Sequence, residues 1–356
     1  MLSTDKNILD VESAVAKRMV RYGTLTNKLT LLVLGVGDRT VLDLSPTVHV
    51  VFPGGSSRRE VFKNALWEGM REGRELPASL ISTQDPFFVG FVGWRIARAL
   101  HVPLQSQVHT DFLSPQYYMS SFRRFFEVLL AFFILTQSSC VRVVSKRIAD
   151  RLSFIPRKKI TVLPIRISHI KTESPCPSDF SQGPRVLMVS RLEPEKRVHR
   201  ALHALARVPN AHLYIIGDGS LRKGLEREVQ RLRLDGRVHF LGWRENIHAY
   251  YQHADAFLHV SRFEGYGLAL VEAALSGLPI VSTDVGVVGS LLKKDRSVVV
   301  VSPTAGDIAS ALNRLFSDHE FAQRIGDTAR TTAETELVDE EKYLSRYKKS
   351  LEHCLK

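Results

Sequence analysis

The chain has few cysteines and no long hydrophobic run. Its 356 residues include three cysteines, Cys140, Cys176 and Cys354, and their scattered spacing indicates neither a zinc site nor a disulfide framework. The first thirty residues lack the apolar core of a signal peptide, and the most apolar stretch, 128–135, is too short to span a bilayer. These absences argue against a secreted or membrane-spanning protein and predict a reducing, cytoplasmic environment.

Acidic residues are scarce relative to basic ones. There are 37 Asp and Glu against 49 Lys and Arg, which gives a net charge of +12 and an isoelectric point near 9.7. This excess favours anionic partners but does not choose among nucleotides, nucleic acid and anionic lipid. A nucleic-acid surface would cluster basic and aromatic residues on one face, and only Arg123–Arg124 and the C-terminal lysines resemble that, so no nucleic-acid partner is expected.

The segment 121–135 mixes apolar and aromatic residues with Arg123 and Arg124. Apolar residues fall on every side of the helix that it predicts, which favours a core helix. The alternative is a helix that lies on a membrane surface, because such helices combine aromatic and basic residues.

Apolar strands alternate with helical patterns through most of the chain. Continuous apolar strands separated by helices predict parallel sheets that are covered on both faces, an α/β fold. The predicted strands are 30–34, 48–52, 80–82, 104–109, 141–144, 160–163, 185–189, 212–216, 238–241, 256–260, 279–282 and 298–301.

A polar segment rich in Pro, Ser and Gly interrupts this alternation and predicts an inter-domain linker at 169–184. On either side we expect a doubly wound, Rossmann-like domain, at 1–168 and 185–337, with a cleft between them. Ligands bind outside the carboxyl ends of parallel strands, so the cleft is the expected site. The remaining segment, 338–356, predicts a charged helix that packs on the N-terminal domain.

The segment 261–272 is the most informative part of the sequence. It follows an apolar strand and contains two carboxylates, Glu264 and Glu272. Between them lies a Gly-x-Gly turn, Gly265-Tyr266-Gly267, and a helix follows the turn. Backbone amides at such a turn attract an anion, and the helix dipole adds to this attraction. A carboxylate there is suited to sugar hydroxyls beside a phosphate. The pattern therefore indicates a sugar joined to a phosphate.

Basic residues follow the first strand of the second domain. Arg191 can bind a phosphate with two hydrogen bonds, and Lys196 can act as a point charge. A solvated helix start explains the same residues about equally well when they are taken alone. Their place at the same sheet edge as Glu264 favours the anion site.

Other strand ends carry residues suited to a ligand. Gly217 and Gly219 allow a tight turn, Trp243 can stack on a base or be half buried, and 284–290 is another glycine turn. In the first domain His109 ends a strand and is either a cleft-facing catalytic residue or half of a structural pair with Asp111. No P-loop, dinucleotide fingerprint or metal triad is present in the sequence.

These motifs together resemble glycosyltransferase family 4, the group 1 glycosyl transferases. The resemblance covers about 184–335 and is carried by Ser190-Arg191-Leu192 with Lys196, Gly217-Asp218-Gly219, and Glu264 to Glu272 followed by 273–279. It implies the GT-B fold, with two Rossmann-like domains facing across a cleft and a C-terminal helix crossing back to the first. It also implies a retaining enzyme that takes its sugar from a nucleoside-diphosphate sugar without a metal or cofactor.

The resemblance assigns roles to single residues. Glu264 contacts sugar hydroxyls, Glu272 binds the ribose, and His109 sits beside the transferred sugar. The residues expected to hold the diphosphate are Arg191, Lys196 and the backbone amides of Gly265, Tyr266, Gly267 and Leu268. Further donor contacts are expected from Gly217, Gly219 and Trp243.

One departure concerns the acceptor side. Family members often open with a full strand and a Gly-Gly loop, whereas this chain has little first strand and no glycine pair at 9–14, where Ser13 stands in for one glycine. The expected reaction is transfer of a hexose-type sugar to a glycan or lipid-linked acceptor in cell-surface polysaccharide or glycolipid synthesis. It takes place in the cytoplasm, with peripheral contact to the anionic inner face of the plasma membrane. The alternatives are a sugar-nucleotide epimerase of the same fold and a catalytically weak family member with a binding role.

Overall fold

The computed structural model describes residues 1–167, 174–180 and 183–355. The chain divides into two compact units. Unit 1 comprises Met1–Pro164 together with Asp339–Lys356, and unit 2 comprises Ile165–Val338.

Within the residues that the structure describes, each unit forms one sheet. Unit 1 has eight strands in the order β3-β4-β2-β1-β5-β6-β7-β8, parallel except for the β3–β4 pair, and unit 2 has six parallel strands in the order β11-β10-β9-β12-β13-β14. The strands are β1 (Leu2–Ser3), β2 (Leu29–Val33), β3 (Thr40–Ser45), β4 (Val48–Phe52), β5 (Ile81–Thr83), β6 (Leu104–Val108), β7 (Cys140–Val143), β8 (Ile160–Val162), β9 (Arg185–Val189), β10 (His212–Ile216), β11 (Val238–Gly242), β12 (Ala256–His259), β13 (Ile280–Ser282) and β14 (Val299–Val300).

Helices cover both sheets, and short 3-10 turns stand at Lys6–Leu9, Arg157–Lys159, Pro194–Lys196 and His353–Leu355. The helices are α1 (Ala14–Gly23), α2 (Arg58–Glu75), α3 (Phe88–Leu100), α4 (Pro115–Tyr118), α5 (Phe122–Gln137), α6 (Lys146–Arg151), α7 (Val198–Leu205), α8 (Arg222–Arg231), α9 (Ile247–His253), α10 (Leu268–Leu275), α11 (Ala305–Ser317), α12 (His319–Glu334) and α13 (Glu340–Glu352).

The predicted α/β architecture is confirmed, and all twelve predicted strands form within one residue of their expected ends. Two strands were not predicted. β1 has two residues, too few to produce a pattern, yet it pairs with both β2 and β5 inside the sheet. β3 is an exposed antiparallel edge strand. Ser13, at the position where a glycine pair was expected, caps α1 by accepting a hydrogen bond from the Ala16 amide at 3.0 Å.

The core of unit 2 lies between β9, β10 and β12 and the helices that cover them. Val186, Met188 and Leu213 are fully buried there, and α7 and α11 contribute Leu202 and Ile308. This packing fixes the carboxyl ends of β9 and β12, and the loops that follow them, relative to each other.

The C-terminal helix α13 packs in unit 1 through buried polar contacts. Gln105 donates to the Ser350 carbonyl at 2.8 Å, Gln107 donates to the Tyr347 hydroxyl at 3.1 Å, and Arg142 donates to the Tyr343 hydroxyl at 3.2 Å. The last residues of the chain therefore cover strands β6 and β7.

The cysteines differ from expectation. Cys140 of β7 and Cys354, just after α13, form a disulfide, with Cα atoms 5.2 Å apart and a sequence separation of 214. Cys176 is free and exposed. The expectation that no disulfide forms was wrong, because only the fold brings two such distant positions together.

The core-helix interpretation of 121–135 is wrong for one side of α5. Val128, Ala131, Ile134 and Leu135 are buried, but Phe122 keeps 89% of its surface exposed. The other exposed apolar side chains of this helix are Phe125, Phe126, Leu129, Phe132 and Phe133. Among the described residues, no helix is long and apolar enough to cross a membrane.

Part of the predicted linker 169–184 lies outside the described residues, namely 169–173 and 181–182. The described segment 174–180 belongs to unit 2 and packs on its helix α9. The Ser174 amide donates to Gln252 at 2.9 Å, and Asp179 accepts a hydrogen bond from the Tyr250 hydroxyl at 3.0 Å.

Candidate functional site

The candidate site of unit 2 lies where its strand order reverses. β9 and β12 are parallel neighbours, and the chain continues from β9 to one side of the sheet and from β12 to the other. Loops at the carboxyl ends of two such strands form a crevice that binds ligands in open α/β sheets. The two loops meet here, since the Arg262 amide donates to the Glu195 carbonyl at 2.7 Å.

The turn after β12 presents a helix start to this crevice. Gly267 has φ of 87° and caps α10, a left-handed conformation that glycine adopts without strain. Gly286 of the next loop packs so closely that a Cβ there would lie 2.3 Å from the Tyr266 carbonyl oxygen. Gly265, Tyr266 and Gly267 are buried and Leu268 begins the helix. The first amides of a helix lack intrahelical partners and attract negative charge.

Lys196 and Glu264 form an ion pair at the base of the crevice. Their side chains are 12% and 15% exposed, and His259 Nε2 lies 3.1 Å from the same Glu264 oxygen. Burial alone would raise the pKa of Glu264, but His259 and Lys196 together lower it below its usual range. Glu264 is therefore a fixed carboxylate at neutral pH. His259 was not predicted, because a histidine inside an apolar strand usually indicates core packing.

Glu272 faces a buried tyrosine one turn further along α10. The hydroxyl of Tyr251, on α9, donates to Glu272 Oε2 at 3.0 Å. Burial raises the pKa of Glu272, and the Tyr251 hydrogen bond opposes this. The tyrosine fixes the direction of a carboxylate that is poorly solvated.

The remaining predicted residues of unit 2 lie at the same sheet edge but do not all converge. The guanidinium of Arg191 is 63% exposed and lies 3.4 Å from Glu195 rather than at Glu264. Trp243 follows β11, two strands away from β9, and is 72% exposed. Half-buried packing of Trp243 is therefore not observed.

Gly217 and Gly219 serve the loop itself. A Cβ on Gly217 would lie 2.2 Å from the Ser190 carbonyl oxygen, and one on Gly219 would lie 2.6 Å from the Leu192 carbonyl oxygen. These glycines permit the loops after β9 and β10 to touch, so they position Arg191 and Lys196 through the backbone.

A group of three arginines beside this loop was not predicted. Arg197, Arg200 and Arg262 line a cavity of about 250 Å³ at the start of α7, and none of them forms an ion pair within the part of the chain that the structure describes. Arg197 has φ of 52°, a left-handed conformation that is strained for a residue with a side chain. Burial and the charges of Arg262 and Arg200 lower the pKa of Arg197.

His109 belongs to unit 1, at the end of β6. Its Nε2 lies 3.2 Å from Gln107 Oε1, which also accepts a hydrogen bond from buried Arg142 at 2.6 Å. Because Gln107 Oε1 only accepts, Nε2 carries the proton and Nδ1 is left as an acceptor. Loss of hydration and the charges of Arg142 and Arg18 lower the pKa of His109 below its usual value, although the side chain keeps an exposed surface, so the ring is neutral at pH 7. The structural alternative, a pair with Asp111, does not form, because Asp111 binds Arg151 at 2.7 Å.

A cavity of about 780 Å³ lies at the carboxyl ends of β2 and β4 in unit 1. Trp67 lines it with 58% of its surface exposed, beside Asn64 and a buried carboxylate, Glu68, that pairs with Arg39 and Arg71. An aromatic face flanked by fixed polar groups is suited to a sugar ring. Among residues 1–167, 174–180 and 183–355, no three His, Cys, Asp or Glu side chains are grouped so that they could hold a metal ion.

Comparison with known proteins identifies the family. The model of "Glycosyl transferases group 1" matches residues 172–332, and that of "Glycosyltransferase Family 4" matches residues 16–166. The chain belongs to the group 1 glycosyltransferases. The resemblance drawn from the motifs after β9, β10 and β12 is thereby confirmed, and it extends to the first half of the chain.

Several solved structures share the fold. Sucrose-phosphate synthase from Thermosynechococcus elongatus superposes with a TM-score of 0.79 at 20% identity, over 97% of this chain and 96% of that one. Anabaena HepE in complex with UDP-glucose gives a TM-score of 0.74 at 21% identity, over 99% and 98%. At this identity the likeness confirms the GT-B fold.

Curated relatives are similar over shorter stretches. The lipopolysaccharide core biosynthesis glycosyltransferase LpsE of Rhizobium meliloti (strain 1021) is 24% identical over 205 residues, which is 55% of this chain and 59% of that protein. The chain thus matches less than two thirds of the length of this relative.

Proposed function

We propose that the chain is a retaining glycosyltransferase that moves a hexose-type sugar from a nucleoside-diphosphate sugar to an acceptor hydroxyl. One observation carries the proposal. At the reversal point of the unit 2 sheet, a largely buried and ionised Glu264 pairs with Lys196 just before the start of α10. A phosphate needs cations and free amides, and a sugar needs a fixed hydrogen-bond acceptor, so this set suits a sugar joined to a diphosphate.

In this proposal each group acts on one part of the donor. The α10 amides and Lys196 hold the diphosphate, with exposed Arg191 turning from Glu195 to join them, while Glu264 accepts hydrogen bonds from sugar hydroxyls. Glu272, directed by Tyr251, accepts them from the ribose. Trp243 and the loops shaped by Gly217 and Gly219 complete the donor contacts.

In the proposed reaction the positive groups that bind the diphosphate also stabilise it as the leaving group. As the bond from the sugar to the diphosphate breaks, negative charge grows on the phosphate, and Lys196, Arg191 and the α10 dipole stabilise it without a metal or a cofactor. The acceptor hydroxyl attacks from the leaving-group face and passes its proton to the departing phosphate, so the configuration is retained. Neutral His109 offers Nδ1 as a hydrogen-bond acceptor beside the transferred sugar.

We further propose a glycan or lipid-linked acceptor from cell-surface polysaccharide synthesis. LpsE acts in lipopolysaccharide core biosynthesis, and HepE was solved with UDP-glucose. The cavity beside Trp67 has the aromatic and polar lining that suits such an acceptor. We also propose a cytoplasmic location with peripheral contact to an anionic membrane, on the basis of a lipid-linked acceptor and the net charge of +12 and no longer on the cysteines, two of which form a disulfide.

The first experiment is a panel of sugar nucleotides, followed by calorimetric binding and by NMR of the products. We expect one sugar nucleotide to bind and slowly release nucleoside diphosphate, with the anomeric configuration kept and with activity unchanged in EDTA. Conversion of the sugar nucleotide into its epimer without any acceptor would contradict the proposal, as would inverted product. If a sugar nucleotide binds but is not turned over with any acceptor, the chain is a binding protein and the proposed enzymatic activity is refuted.

The second experiment tests the residues. Lys196→Ala is expected to lower kcat by roughly 10²- to 10³-fold, because it removes charge from the leaving group. Arg191→Ala should lower kcat by about tenfold or more. Arg227→Ala, which removes an exposed arginine of α8 in the same unit, is the matched control and should leave kcat unchanged. Equal kinetics for all three variants would refute the assignment.

A further inference from the structure

The outer side of α5 carries an apolar surface that the fold does not cover. Phe122 is 89% exposed and Phe126 is 65% exposed, and Met119, just before the helix, is 76% exposed. Phe125, Leu129, Phe132 and Phe133 continue this surface with 36–50% exposure. We call these seven residues the α5 face.

The α5 face is continuous along the helix. At 100° per residue its six helical members fall within an arc of about 120°, and sixteen residues extend about 24 Å. The buried residues Val128, Ala131 and Leu135 lie on the opposite side. Every residue of α5 is described, and its three charged side chains, Arg123, Arg124 and Glu127, all fall outside this arc.

Such a surface is unusual for a chain that meets only water. Single exposed apolar side chains are common, but a contiguous patch of aromatic residues marks an interaction site. The rings of Phe125 and Phe126 stand edge to face at 5.9 Å, and Trp94 supports Phe133 at 4.9 Å. The face is therefore held in shape by the packing beneath it.

A basic segment borders the C-terminal half of the α5 face. The segment 146–159 has six basic residues and one acidic residue, and it packs against α5 because the Phe154 ring lies 4.2 Å from Phe132 and Lys159 Nζ donates to the Ser138 carbonyl at 3.1 Å. Lys146, Arg157 and Lys158 of this segment are exposed. They form what we call the basic rim.

The charge of the whole chain is distributed in the same way. Unit 1 has 27 Lys and Arg against 17 Asp and Glu, a net charge of +10, whereas unit 2 has 22 against 20, a net charge of +2. The unit that carries the α5 face thus carries nearly all of the net positive charge. A second copy of this unit would bring like charges together, whereas an anionic surface would neutralise them.

We propose that the α5 face and the basic rim dock the protein on an anionic lipid surface. α5 lies along the interface with its phenylalanines at the boundary of headgroups and acyl chains, and the rim contacts lipid phosphates. The α5 face and the basic rim are thus the surface for the membrane contact that the proposed function includes. Only the reason for docking, access to a lipid-linked acceptor, rests on that function. Vesicle binding tests docking without turnover, so the two can fail separately.

The test is co-sedimentation of the full chain with vesicles of phosphatidylcholine alone or with about 30% phosphatidylglycerol. We expect binding to the anionic vesicles, weaker binding to the neutral ones, and loss of binding as NaCl approaches about 0.5 M. Phe122→Ser with Phe126→Ser should weaken binding at least about tenfold. Leu76→Ser with Leu355→Ser, two exposed apolar residues of unit 1 outside the face, should bind like the wild type.

The rim is tested with matched charge. Lys146→Gln with Lys158→Gln should weaken binding about tenfold or more, since each cation near the surface contributes roughly a fivefold factor. Lys223→Gln with Lys294→Gln removes two exposed lysines of unit 2 and should bind like the wild type. Unchanged vesicle binding by the Phe122 and Phe126 variant would overturn the proposal. So would light scattering that finds a dimer which this variant converts to a monomer, because the face would then bind a second copy. Donor hydrolysis without vesicles should be the same in all four variants.

Discussion

At the scale of single residues, the candidate site combines two carboxyl groups whose pKa values are shifted in opposite directions. Glu264 is held ionised by Lys196 and His259, whereas Glu272 has a raised pKa because it is buried with one tyrosine as its partner. A group with a raised acid pKa binds protons more tightly in the folded chain than in the unfolded one. The stability that Glu272 contributes is therefore lost as the pH rises above 4.5, the ordinary pKa of a glutamate, toward the raised pKa of the folded chain.

Glu272→Gln should make unit 2 more stable at pH 7 and weaken the binding of the donor. The amide avoids a buried charge and still accepts the Tyr251 hydrogen bond, so Tm should rise by about 2–4 °C at pH 7 and by less at pH 4. Donor affinity by calorimetry should fall, since a neutral acceptor holds hydroxyls less tightly. A lower Tm at pH 7, or equal affinity, would contradict the role given to Glu272.

Arg197 gives a second prediction at this scale. Arg197→Gly removes a left-handed side chain and one of three close positive charges, so stability should rise by about 1 kcal/mol in thermal unfolding. Arg200→Gly is the matched control, since Arg200 lies inside α7, where glycine should cost about 1 kcal/mol. Equal changes in the two variants would show that the backbone at Arg197 carries no strain.

At the scale of elements, the sequence determined the strands well because each is an apolar run between turns. It missed β1 and β3, whose length and exposure leave no such run. Strand ends predicted that Lys196 and Glu264 share one edge, and the structure pairs them. Sequence could not place His259 against Glu264, since that contact depends on the exact end of β12. Nor could periodicity show which side of α5 is covered.

The link between β7 and the chain end gives a prediction for elements. In guanidinium without reductant, thiol titration should find one free cysteine, Cys176, and after reduction it should find three. Cys354→Ser should lower Tm, because the cross-link no longer restricts the unfolded chain. Three reactive thiols before reduction would contradict the pairing.

At the scale of the whole molecule, the two units are built differently. Unit 2 is one continuous stretch, whereas unit 1 is completed by residues from the end of the chain. Arg142 shows what the returning segment provides, because this buried guanidinium is bonded to Gln107, to the Leu163 carbonyl and to Tyr343 of α13, with the Tyr347 ring 4.9 Å away. Losing the tyrosines would leave a buried charge with fewer partners.

Deletion of 339–356 should therefore destabilise unit 1 selectively. Calorimetry should show the transition of unit 1 lowered by several degrees or lost, and the transition of unit 2 unchanged. Calorimetric donor binding should persist, since the groups proposed to hold the diphosphate and the ribose belong to unit 2. A variant that exchanges Lys348 and Lys349 for Gln keeps α13 and is the control. Loss of both transitions together would show that the units do not unfold separately.

The discontinuity of unit 1 has a consequence for how the chain is made. Synthesis runs from the amino end, so the sheet of unit 1 leaves the ribosome before unit 2, and α13 leaves after all of unit 2. Until then Gln105, Gln107 and Arg142 have no helix above them, and Cys140 has no partner. The first half of the nascent chain must wait, exposed to chaperones, while the second half becomes able to fold. A stop codon shortly before α13 would thus produce a chain in which unit 2, although synthesised later, is complete and unit 1 is not.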